Sequence, residues 1–96
     1  MVGVQVTFRY DAGFDPDVPR AVAAAAQKQF DGMSGLRSKT FTIDEQNHQA
    51  VNFYVWESEE AARAFFTDEL RERITGFYGV APTIQFLEVV ALVDNG

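Results

Sequence analysis

The 96-residue chain carries 14 acidic against 8 basic residues, a formal charge of −6 that disfavours a phosphate backbone or other nucleic acid as partner. Cysteine is absent, which excludes disulfides, thiolate metal sites and a cysteine nucleophile, and fits a reducing compartment. A 47% hydrophobic composition suits one globular domain over residues 1–96, and no apolar run approaches the ~20 residues that span a bilayer. The N-terminus lacks the basic-then-apolar pattern of a signal peptide, so a cytoplasmic location and no membrane contact are expected.

Residues 2–10 alternate Val2, Val4, Val6, Phe8 and Tyr10 against Gly3, Gln5, Thr7 and Arg9, the period of a strand. A turn-rich stretch around Gly13 and Pro16 ends it, and a helix starts near Asp17 or Val18, because Pro19 is tolerated only in a first turn. Val22, Ala26 and Phe30 then follow at a spacing of four. A second strand is predicted over 36–43. The polar stretch 44–49, with the only histidine, His48, turns the chain into an antiparallel strand over 51–56.

Ser58 is placed to cap the next helix, with Glu59 and Glu60 favourable in its first turn. Ala62, Phe66, Leu70 and Ile74 form one apolar stripe with a break at Thr67 and Asp68, and Gly76 and Gly79 are expected to close the helical region. A last strand is predicted from Thr83 to about Val93, apolar on both faces.

This order, βαββαβ, is the α+β ferredoxin-like arrangement: a four-stranded antiparallel sheet with both helices on one face. In the 51–56 strand, Val51, Phe53 and Val55 point one way and Asn52, Tyr54 and Trp56 the other, so neither face is cleanly polar. Helices cover one face. A second copy of the chain is expected to cover the other, giving a homodimer through the sheet.

The segments Gly35-Leu36-Arg37-Ser38-Lys39-Thr40-Phe41 and Asn52-Phe53-Tyr54-Val55-Trp56-Glu57-Ser58 resemble the signature of the YdhR-type monooxygenases. Gly35, Leu36, Lys39 and Tyr54 match, whereas Asn52 stands where glycine is usual and Trp56 where phenylalanine is. The resemblance implies a dimeric α/β barrel, built from two ferredoxin-like sheets, and oxygenase chemistry. Asn52 and Trp56, four apart on a strand, are similar to a pair in the cofactor-independent monooxygenases of antibiotic biosynthesis, which implies a catalytic role for both. There an aromatic residue of the following helix often joins them. The nearest here, Phe65 and Phe66, have no hydroxyl.

Oxygen is a triplet and reacts slowly with closed-shell molecules, so a protein without flavin or metal must make its substrate electron-rich and keep water out. A dry apolar pocket with fixed donors does so by stabilising developing negative charge. The Asn52 amide and Trp56 indole are suitable donors, and Tyr54 shares their strand face and would orient the substrate. Lys39 would add positive charge to a substrate-binding surface. Against this stand ordinary roles: a strand Trp or Tyr as core or dimer interface, and a lysine whose stem packs while its ammonium reaches water. Neither a cofactor nor a metal is expected, since the chain has one histidine and no dinucleotide fingerprint or P-loop, and its two G-x-x-G stretches, in an acidic chain, read as turns and helix stops. The expected function is a cofactor-independent monooxygenase acting on a small hydrophobic or aromatic compound. The alternative is a non-catalytic dimer that binds a small ligand or a protein partner.

Overall fold

The computed structural model describes residues 1–96. In chain order it contains β1 (Val2–Arg9), α1 (Asp17–Ala26), a 3-10 turn (Gln27–Phe30), β2 (Leu36–Asp44), β3 (Gln49–Trp56), α2 (Glu59–Phe65), α3 (Asp68–Tyr78) and β4 (Thr83–Glu88). The strands form one antiparallel sheet in the order β2-β3-β1-β4. This is the expected ferredoxin-like α+β sheet, with the second helical region in two pieces.

The split has a local cause. Phe66 leaves the helical region at φ −86, ψ 72, and the Thr67 hydroxyl then accepts the Leu70 amide at 3.1 Å, a fresh N-cap that starts α3. Ser58 caps α2 in the same way, taking the Ala61 amide at 3.1 Å. Gly76 lies inside α3 instead of ending it. Gly79 is the stop, at φ 82, where a residue with a Cβ would be strained. The last strand ends at Glu88, well short of Val93, and residues 89–96 form neither helix nor strand. The expected helix through Phe30 tightens after Ala26 into the 3-10 turn.

Strand register sorts the side chains. Val2, Val4, Val6 and Phe8 pair with Trp56, Tyr54, Asn52 and Ala50, and on the other side Val4 and Val6 pair with Phe86 and Ile84. All of these point towards the helices, where Trp56, Phe8, Val4 and Val6 are the largest fully buried side chains. The opposite face carries no helix. It presents Val51, Phe53, Val55 and Leu87 among Gln5, Thr40, Thr42, Thr83 and Gln85. The expectation of two apolar faces therefore fails for β4, where only Leu87 is apolar on that side, and holds for β3. The tip of the Phe53 ring crosses Gly3: a Cβ there would stand 2.7 Å from the Phe53 Cζ.

Between Leu36 and Ser38 the β2–β3 register shifts, so that Leu36 opposes Trp56 but Ser38 opposes Val55 and Lys39 opposes Tyr54. This bulge inserts one residue and reverses the alternation of everything after it. Strict alternation from Leu36 would turn Ser38, Thr40 and Thr42 to the helices. The bulge turns Lys39, Phe41 and Ile43 there instead.

Candidate functional site

Between the sheet and the helices lies a cavity of about 230 Å³, lined by 16 residues of which 12 are hydrophobic. Val22 comes from α1, Phe30 from the 3-10 turn, Phe65 from α2 and Leu70, Ile74 and Phe77 from α3, while Phe8, Lys39, Phe41, Asn52 and Tyr54 come from the strands. Its polar groups are few: Asn52, Lys39, Gln29, Arg73 and the hydroxyls of Tyr54 and Tyr78. No carboxylate lines it, although acids outnumber bases in the chain.

Asn52 and Tyr78 form the buried polar centre. The Asn52 amide nitrogen donates to the Tyr78 hydroxyl at 2.9 Å, with the two residues 3% and 4% exposed. Because the Tyr78 oxygen is the acceptor, its own proton remains available as a donor. Tyr78 is fixed from two further sides: its ring stacks on Phe8 at 3.7 Å between centroids and 6° between planes, and its carbonyl accepts the Tyr10 hydroxyl at 2.7 Å. Burial raises the Tyr78 pKa and the Asn52 hydrogen bond opposes that rise. Tyr54 is raised far above the ordinary tyrosine value, chiefly by burial and then by Tyr78. Both are therefore phenols that donate, not phenolates.

Lys39 enters the same space from β2. Its Nζ lies 3.6 Å from the Phe30 ring centroid, 4.1 Å from Phe41 and 4.4 Å from Tyr54. Neither ion pair of the molecule, Arg20–Glu45 or Arg63–Glu59, involves it. Burial lowers its pKa to about 7. The three ring faces favour the ammonium and oppose that shift.

Of the four residues singled out in the sequence, Asn52, Tyr54 and Lys39 thus stand together on the cavity wall. Trp56 does not. It shares their sheet face but packs behind Tyr54 and Phe65, with ring centroids 6.1 and 5.1 Å away, and is 1% exposed. Its indole N–H has no protein acceptor, a state that costs about 1–3 kcal/mol. Tyr78 escaped the sequence reading. The signal for Tyr78 was present, since the stripe Ala62, Phe66, Leu70, Ile74 reaches it in one more step of four. The helix hydroxyl sought at Phe65 or Phe66 comes from the far end of α3.

Solved structures share this architecture. A monooxygenase from the gene ActVA-Orf6 of Streptomyces coelicolor, in complex with the ligand nanaomycin D, superposes with a TM-score of 0.70 at 25% identity over 98% of this chain and 92% of that one. SnoaB, a cofactor-independent oxygenase from Streptomyces nogalater, gives 0.69 at 16% identity over 96% and 95%. A dimeric ferredoxin-like protein of unknown function from Thermobifida fusca gives 0.64 at 15% over 92% of each. No curated protein matches the sequence. The sequence profile of the family described as "Putative mono-oxygenase ydhR" matches residues 4–90, and the chain, with its ferredoxin-like sheet and helix-covered cavity, belongs to that family.

Proposed function

We propose that this protein is a cofactor-independent monooxygenase that oxidises a small aromatic compound in the cavity between helices and sheet. The observation that carries this reading is the composition of the cavity wall: 12 of its 16 residues are hydrophobic, several of them aromatic, and Asn52, Tyr54, Tyr78 and Lys39 stand among its few polar groups, with Gln29 and Arg73. Such a site excludes water and holds an oxyanion by fixed donors, the two requirements for oxygen to react with an organic anion unaided. Without a reductant the substrate must supply all the electrons. A methylene becomes a carbonyl, one oxygen atom entering the product and the other leaving as water with both methylene hydrogens.

Asn52 has two tasks in this scheme. It fixes the Tyr78 hydroxyl with one amide N–H, and its second amide N–H donates to the substrate oxygen. Tyr54 flanks the ring and orients it, and Lys39 supplies positive charge. Trp56 supports Tyr54 and Phe65 from behind. The functional unit is a homodimer through the helix-free sheet face. Support comes from Val51, Phe53, Val55 and Leu87 on that face and from exposed Val90, Leu92 and Val93 beyond it. The Thermobifida fusca neighbour is itself a dimer by name. The cysteine-free composition fits a cytoplasmic enzyme.

The test is oxygen uptake with anthrone, whose enol is an electron-rich phenol and whose methylene can give up two hydrogens. One oxygen consumed per anthraquinone formed, accelerated by the protein and abolished in Asn52→Ala, is the expected outcome. Nanaomycin D, the ligand of the Streptomyces coelicolor monooxygenase, is the companion binding probe. Saturable binding of anthrone without oxygen uptake would make the protein a binding module and overturn the oxygenase reading.

A further inference from the structure

Unaided oxygen chemistry needs an anion in the cavity, and some group must remove the proton that makes it. We propose that Lys39 is the base of this site: as a free amine it takes the proton of a phenolic or enolic hydroxyl bound against Asn52 and Tyr54, and as an ammonium it then holds the resulting oxyanion. The O–H bond breaks with its electron pair left on oxygen, and the proton forms the third N–H bond of Nζ. Nothing is oxidised in this step, which prepares the substrate for oxygen.

Elimination along the wall leads to Lys39. Arg73 is permanently charged, and Asn52 and Gln29 carry no basic nitrogen. Tyr54 and Tyr78 hold their protons more tightly than an ordinary phenol, and no carboxylate lines the cavity. His48 lies in the turn after β2, its ring against Phe14 at 5.8 Å, outside the cavity lining. A base works best when its pKa matches the working pH, and Lys39 is lowered to about 7.

The surroundings of Lys39 serve both halves of the transfer. Before it, no carboxylate lies within ion-pair distance of the amine to hold it charged. On the cavity side it faces Tyr54 and Tyr78 as phenols and Arg73 as a like charge. On its outer side the surface depression it shares with Asp31 and Arg37 contains one charge of each sign. After transfer, the faces of Phe30, Phe41 and Tyr54 within 3.6 to 4.4 Å accept the new ammonium through their quadrupoles. The β2 bulge points the residue here, in keeping with the habit of bulges to re-aim side chains beside active sites. The substrates suited to such a base are neutral, weakly acidic phenols and enols, taken up without net proton exchange.

The base rests on the proposed aromatic pocket, and 2-naphthol separates the two. Its neutral and anionic forms absorb differently, and it is neutral in water at about pH 8, where a lysine lowered in this way is largely an amine. Wild type should bind it as naphtholate with no proton released to buffer, measured by titration calorimetry in buffers of different ionisation enthalpy. Lys39→Met should bind it only as neutral naphthol. Lys39→Arg, a fixed cation that cannot accept a proton, should bind naphtholate and release one proton for each ligand. Neutral naphthol bound by wild type overturns the base and leaves the pocket standing. Naphtholate bound by wild type with a proton released makes Lys39 a standing counter-ion and also overturns the base. Failure of wild type to bind at all removes the pocket, and the base with it.

Discussion

Removing the Tyr78 hydroxyl tests the polar centre of the site. Tyr78→Phe keeps the ring stacked on Phe8 and the backbone acceptor for Tyr10, so packing changes little. What it removes is the partner of the Asn52 amide, in a place where Asn52 is 3% exposed and water has poor access. A buried donor left unpaired costs about 1–3 kcal/mol, whereas replacing both partners by apolar groups of similar shape is nearly neutral. Tyr78→Phe should therefore lose about 2 kcal/mol, and Asn52→Leu with Tyr78→Phe should lose much less than the sum of the singles. The expected coupling is at least ~1 kcal/mol. Urea unfolding at one fixed protein concentration measures it, the concentration being held constant because the proposed dimer would add to apparent stability. A Tyr78→Phe cost below about 0.5 kcal/mol with no coupling to Asn52, typical of a surface substitution, would refute the buried pair.

Lys39 predicts a pH signature. Folding lowers its pKa from 10.5 to about 7, so between those values the unfolded chain binds more protons than the folded one and stability must rise with pH. Below the folded value both states carry the proton and the full penalty of burying charge remains. Lys39→Met should stabilise the protein most at or below neutrality, by an amount under the ~5 kcal/mol ceiling that such a shift sets, with the gain fading towards the ordinary lysine value. Parallel stability–pH curves for the two proteins would contradict this. Gly35 has φ +82, and a Cβ there would stand 2.9 Å from the Ala61 Cβ, whereas at Gly79 the same φ meets open space. Gly79→Ala should cost about 1 kcal/mol from backbone strain alone, and Gly35→Ala clearly more, by the same urea assay. Phe53→Asp, on the helix-free face, should convert a dimer seen by sedimentation equilibrium into a monomer with an intact circular dichroism spectrum. A variant that stays dimeric would move the interface elsewhere.

Element order and strand alternation were legible in the chain because both follow from local periodicity: the 2-residue period of β1, and the cap at Ser58. Parity alone put Asn52, Tyr54 and Trp56 on one strand face, but it could not say which face the helices cover, since that depends on the handedness of the crossovers and on packing. The structure turns all three to the helices, and depth then separates them: Asn52 and Tyr54 reach the cavity, while Trp56 is hidden by the rings of Tyr54 and Phe65. The helical stripe placed Tyr78 on the inward side, but only packing made it the partner of Asn52, 26 residues away. The family resemblance of the 35–41 segment singled out Lys39, but counting alternate residues from Leu36 would have turned it away from the helices. Only the bulge between Leu36 and Ser38, a matter of how β2 pairs with β3, brings its amine among three rings. Patterns repeated along the chain determined the scaffold. Pairing between distant segments decided which polar atoms meet, because a one-residue slip in register exchanges the faces of a strand.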